Sequence, residues 1–104
     1  MSDSARMDTY AARTREDQRL LILQRLQREN DYQAHEHLLR AHLAEFGHKV
    51  SADALRGHLA WLDEQGLITL AGDRIQIAVL TLRGEDAALG NARVPGIARP
   101  YPER

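Results

Sequence analysis

The sequence predicts an α+β fold of three helices, a two-stranded hairpin, a fourth helix and an extended tail. Three stretches predict it. Between Val50 and Ile68, Ser51 stands where an N-cap hydroxyl is favoured. Leu55, Leu59 and Leu62 recur there at helical spacing with Trp61 beside them, and Gly66 stops the helix just before Leu67 and Ile68. From Ile68 to Leu80, two extended apolar runs flank the turn formers Ala71-Gly72-Asp73-Arg74. Thr81 then stands as the N-cap of a last helix, which Gly90 ends.

Taken in order, residues 1–12 are expected to be frayed, with a first helix from about Tyr10 to Glu29. Leu20, Leu21, Ile22, Leu23 and Leu26 form its apolar stripe, flanked by Arg13, Arg15, Arg19, Arg25 and Arg28. Its first half has few large apolar residues and is expected to project from the domain. Asn30-Asp31 reads as a turn. A second helix follows from about Ala34 to Phe46, with Leu38, Leu39, Leu43 and Phe46 inward and Gly47 as its stop. His48 and Lys49 lie in a short connection of the kind that joins two helices in a helix-turn-helix. The third helix runs from Ala52 to Gln65, and the strands are Ile68-Thr69-Leu70 and Ile75 to Leu80. The fourth helix spans Leu82 to Leu89. The domain proper is therefore residues 13–90. The tail, 91–104, holds all three prolines and no regular period. Its alternation of apolar residues with turn formers from Val94 to Tyr101 marks a segment that docks on something.

A chain of 104 residues is one small domain with a single core. The absence of cysteine excludes disulfides and thiolate sites, which fits a reducing cytoplasm. No apolar run reaches membrane-spanning length, and Met1 to Thr9 lacks the apolar middle of a signal peptide. The expected location is the cytoplasm. Net charge is −1, but its distribution is uneven. Residues 13–30 carry five arginines against three acids, whereas residues 51–65 carry Arg56 against Asp53, Asp63 and Glu64. The third helix is thus acidic, which is unfavourable for a duplex binder.

Ser51, His58, Leu59, Leu62, Gly66, Leu67 and Ile68 resemble the helix and wing junction of the bacterial ArsR/MarR-type winged-helix regulators. More narrowly, the chain from about Arg15 onward resembles small winged-helix proteins of Mu-like phages and prophages. The residues that carry this likeness are Arg19-Leu20-Leu21-Ile22-Leu23, Phe46-Gly47-His48-Lys49-Val50-Ser51, Leu59-Ala60-Trp61-Leu62, Glu64-Gln65-Gly66-Leu67, and Arg93-Val94-Pro95-Gly96-Ile97 with Arg99-Pro100. The resemblance implies a winged helix-turn-helix that binds double-stranded DNA in the cytoplasm of a bacterial host. It also implies a homodimer formed through the N-terminal helix, to which the tail adds a second candidate surface. It carries over no catalytic or ligand residues.

In a winged helix the third helix enters the major groove, and its outward residues reach base edges. Here these are Ala52, Asp53, Arg56, Gly57 and Ala60. Arg56 is the strong base reader among them, bidentate to guanine in the favourable geometry. Lys49, Ser51, His48 and, on the wing, Arg74 are the candidate phosphate contacts. The plainer reading makes Asp53 and Arg56 a solvated face. Of five histidines (His35, His37, His42, His48, His58), His35 and His42 are two turns apart and no His-Glu-x-x-His motif accompanies them, so no metal or other cofactor is expected. His58 reads as a hydrogen-bonded packing residue at the border of the apolar face. No nucleophile with a partner and no phosphate-cradling loop appears, so an enzyme is not expected. The alternative to DNA reading is a non-catalytic protein-interaction module of phage packaging or assembly, which the acidic third helix favours.

Overall fold

The computed structural model describes residues 3–101, and side chains from residue 9 onward. Helix α1 (Asp3–Arg28) leads through a 3-10 turn (Asn30–Tyr32) into strand β1 (Gln33–His35). Helices α2 (Glu36–Glu45) and α3 (Ala52–Glu64), strands β2 (Ile68–Ala71) and β3 (Ile77–Leu80), and helix α4 (Leu82–Leu89) follow. The sheet has three strands in the order β1-β3-β2, antiparallel throughout.

The third strand corrects the two-stranded expectation. Gln33, Ala34 and His35 carry no strand signal of their own. They are extended because they pair with Val79, Ala78 and Ile77, far along the chain. Their pairing also moves the start of α2 from Ala34 to Glu36, where the His35 ring caps it by accepting from the Leu38 N–H at 3.2 Å. Strand β3 begins at Ile77 rather than Ile75. The Gln76 N–H is used by the Glu36 carboxylate and its carbonyl by the Glu36 N–H, so this residue leaves the ladder. At the N-terminus, α1 begins at Asp3, inside the segment expected to be frayed.

The helix stops behave as the sequence predicts. Ser51 Oγ accepts from the Ala54 N–H at 3.0 Å. At the end of α3, Gly66 (φ +74) donates to Asp63 and Leu67 donates to Leu62. Gly47 (φ +83) closes α2 in the same way, with His48 donating to Leu43. Both are paired carbonyl closures that need a left-handed residue, which glycine adopts without steric cost. Thr81 Oγ1 accepts from the Gly84 N–H and donates to the Gly66 carbonyl, tying α4 to the end of α3.

The core lies between α1, α2, α3 and the sheet. Ile22, Leu23, Leu26, Leu39, Leu43, Leu55, Leu59, Leu62 and Leu67 are fully buried, each contributing about 1.5–3 kcal/mol of apolar burial. Phe46, expected inward, is instead 55% exposed. It lies beyond the last turn of α2 and meets the buried His42 ring edge to face at 5.0 Å. The tail packs back on its own chain. Val94 and Ile97 are buried, and the Ala98 N–H donates to the Glu16 carbonyl of α1. No helix among the described residues is long and apolar enough to cross a membrane.

Candidate nucleic-acid interface

The α2–α3 connection and the start of α3 place Lys49, Ser51, Ala52 and Asp53 together on the exposed surface. Gly57 and Ala60 continue that exposed side of α3. Gly57 is an ordinary helical residue, and a Cβ built on it meets nothing within 4 Å. Arg74 is exposed in the β2–β3 loop. The Ser51 hydroxyl is occupied as the cap of α3.

Arg56 joins these parts. Its Nε donates to Glu36 Oε1 at 3.1 Å, and its Nη2 lies 3.0 Å from the same oxygen as an ion pair while donating to the Arg74 carbonyl at 3.0 Å. The other oxygen of Glu36 accepts from the Gln76 N–H at 2.7 Å. The backbone N–H of Gln76, then the Arg56 guanidinium, hold the Glu36 carboxyl below the usual carboxylate range. One buried carboxylate thereby locks α2, α3 and the β2–β3 loop into a single surface. Arg56 was the expected base reader, and its geometry changes what it can do. A bidentate guanine contact needs free N–H groups on two nitrogens. While the bonds to Glu36 and Arg74 hold, only Nη1 is left. Sequence reasoning missed Glu36, which reads as a solvent-facing acid in the first turn of a helix.

A second polar network lies beneath this surface. Arg19 Nε donates to His58 Nδ1 at 3.4 Å. Nδ1 is then the acceptor, so the ring proton sits on Nε2 and is donated to Gln18 Oε1 at 2.8 Å. The Gln18 amide nitrogen in turn donates to His48 Nδ1 at 3.3 Å, which connects α1 to the α2–α3 connection. Burial, then the charges of Arg19 and Arg15, push the His58 pKa down to about 4, so the ring is neutral at neutral pH. Arg19 also donates through Nη1 to the Gly96 carbonyl at 3.1 Å, and its guanidinium lies 4.0 Å over the Trp61 ring. The histidine expected as a bonded packing residue is one. Gln18 was overlooked because a lone glutamine on a charged helix carries no signal, and Arg19 reads from sequence as a flanking, solvated cation.

The remaining histidines do not converge. His35 is an exposed cap, whereas His42 is buried beside Arg25. Among the described residues, no three His, Asp or Glu side chains form a group able to hold a metal ion.

The chain is similar to two curated proteins. It is 46% identical over 88 residues to the uncharacterized protein gp26 of Escherichia phage Mu, covering 84% of this chain and 91% of that protein. It is 41% identical over 70 residues to an uncharacterized protein of Haemophilus influenzae, covering 65% of this chain and 68% of that one. No family model and no solved structure matches.

Proposed function

On the premise that the chain belongs to the family of the phage Mu protein gp26, we propose that it is a non-catalytic, winged-helix DNA-binding protein of regulatory type. The observation that carries this reading is the side-by-side placement of α3 and the β2–β3 loop. Arg56 bonds to the loop carbonyl of Arg74, so the exposed side of the helix and the hairpin tip share one surface. The element order, with a short strand before α2 and a sheet ordered β1-β3-β2, also supports a winged helix.

The reading differs from the sequence expectation in its energetics. With Arg56 engaged, the binding face relies on phosphate contacts from Lys49 and Arg74 more than on base readout by α3. Phosphate contacts position a protein on a duplex, whereas base contacts specify sequence. Low sequence selectivity and strong salt dependence follow. Dimerisation through the first half of α1, where Tyr10 is 76% exposed, would double those contacts. In the tail, Val94 and Ile97 are buried against its own chain, which leaves Tyr101, 95% exposed, as its apolar surface for that role.

One observation favours the protein-interaction alternative in phage packaging or assembly. Asp53, Asp63 and Glu64 are exposed on α3, while its one cation is paired with Glu36. Fluorescence anisotropy with a labelled mixed-sequence duplex decides between the two, with light scattering on the same samples. Binding that weakens steeply from about 50 to 200 mM salt supports the DNA reading. No binding at the low-salt end refutes it and leaves the protein-interaction module.

A further inference from the structure

We infer that the open cleft between α2 and the α2–α3 connection is a phosphodiester seat, holding the sugar-phosphate backbone of a DNA duplex. The cleft has a volume of about 400 Å³ and is lined by His37, Arg40, Ala41, Ala44, Lys49 and Val50. The inference rests on the duplex-binding reading but assigns its main contacts to α2, where the sequence gives no sign of them.

Four observations converge. The lining is cationic and contains no carboxylate. Its wall along α2 is made by alanines, so a bulky, charged strand can approach the helix closely. Arg40 is fixed in place, its Nε donating to the Val50 carbonyl at 2.8 Å. That bond leaves the two terminal nitrogens, the fork that suits a phosphate's paired oxygens. Finally, none of the nearby acids lines the cleft. Glu36, beside His37 in sequence, is buried and bonded to Arg56, and Glu45 lies 4.0 Å from the buried His42 ring. Asp53, Asp63 and Glu64, the acids of α3, are not part of the lining either. Lys49 lines the cleft and stands next to the exposed start of α3, so a strand seated here leads onto the proposed binding face.

The test compares Arg40→Gln, Lys49→Gln and the double variant with wild type, using duplex affinity across a salt series. Each neutralised phosphate contributes about 0.9 to the slope of log affinity against log salt. Each single variant is expected to lower the slope by about that amount, which removes roughly a threefold share of the affinity change between 50 and 200 mM salt. The loss should be equal for unrelated sequences. Arg40→Lys keeps the charge and should retain most of the slope. Arg93→Gln, an exposed tail arginine outside the cleft, should bind as wild type does. If Arg40→Gln proves unfolded by thermal melt, Lys49→Gln alone carries the test. Wild-type slopes in the cleft variants, or an equal loss in Arg93→Gln, overturn the cleft and leave duplex binding standing. Failure of the wild type to bind any duplex overturns both.

Discussion

The buried His58 makes stability depend on pH in a window set by its environment. Its pKa is about 4 in the folded protein, against an ordinary value of 6.5. The unfolded chain therefore binds a proton between these values that the folded chain does not. Stability is complete above pH 6.5, falls as the pH drops from 6.5 toward 4, and loses nothing further from this residue below 4. At pH 5.0 the linkage amounts to about 2 kcal/mol, or roughly 1–2 kcal/mol once partial solvent screening of the ring is allowed for. For a domain of this size, about 4–8 °C of melting temperature accompanies each kcal/mol. The wild type should thus melt roughly 5–15 °C lower at pH 5.0 than at pH 7.5. His42, whose pKa is also lowered by burial and then by Arg25, adds a loss of the same sign. The assay is a pair of melts followed by circular dichroism, on wild type and His58→Gln. The glutamine keeps a polar group beside Gln18 but cannot titrate. Its melting temperature at pH 7.5 falls because the fit to Arg19 is poorer, yet its decrease from pH 7.5 to 5.0 should be much smaller than that of the wild type. Equal decreases in the two proteins would show that His58 is not held neutral by the fold.

Three further perturbations test the packing account. Gly57→Ala fills open space on an ordinary helical residue, so it should stabilise the protein by about 0.5–1 kcal/mol, read as a higher urea midpoint; a lower midpoint contradicts the placement of Gly57. Gly96→Ala would put a Cβ 2.6 Å from the Trp61 ring at a φ of +91°. It should cost about 1–3 kcal/mol as over-packing and change the emission of the one tryptophan, whereas an unchanged spectrum would place the tail elsewhere. Glu36→Ala removes the acceptor of the Gln76 N–H and frees Arg56, so hydrogen exchange at the Gln76 amide should accelerate while exchange in the middle of α1 does not. Uniform acceleration would mean that Glu36 supports the whole fold rather than the α2, α3 and loop junction.

The helices were legible because their signals are local. Ser51 and Thr81 cap, Gly47 and Gly66 close, and Leu55, Leu59 and Leu62 recur on one face, all within a few residues of one another. Strand β1 was not legible, because Gln33–His35 becomes a strand only through β3, more than forty residues away. Distance along the chain also hid the two polar networks. Glu36 and Arg56, or Gln18 and His58, are ordinary helical polar residues until the helices cross. Lys49, Ser51, Ala52 and Asp53, expected on the outward side, are exposed. Sequence reasoning gave Arg56 a freedom that a carboxylate on the preceding helix takes away. Nothing in the sequence marks His37 and Arg40, and only the chain's return through Lys49 and Val50 makes them one wall of a cleft.

The proposed DNA duplex lies across α3, the β2–β3 loop and the α2 cleft. The most direct measurement is a nitrogen-15 chemical-shift titration of the full chain with a mixed-sequence duplex at low salt. Shifts are expected at His37, Arg40, Lys49, Ser51, Ala52 and Arg74, with the α4 and tail amides undisturbed. Shifts confined to α1 and the tail, or none at duplex concentrations up to about 100 μM, at the weak limit of ordinary non-specific binding, would contradict it.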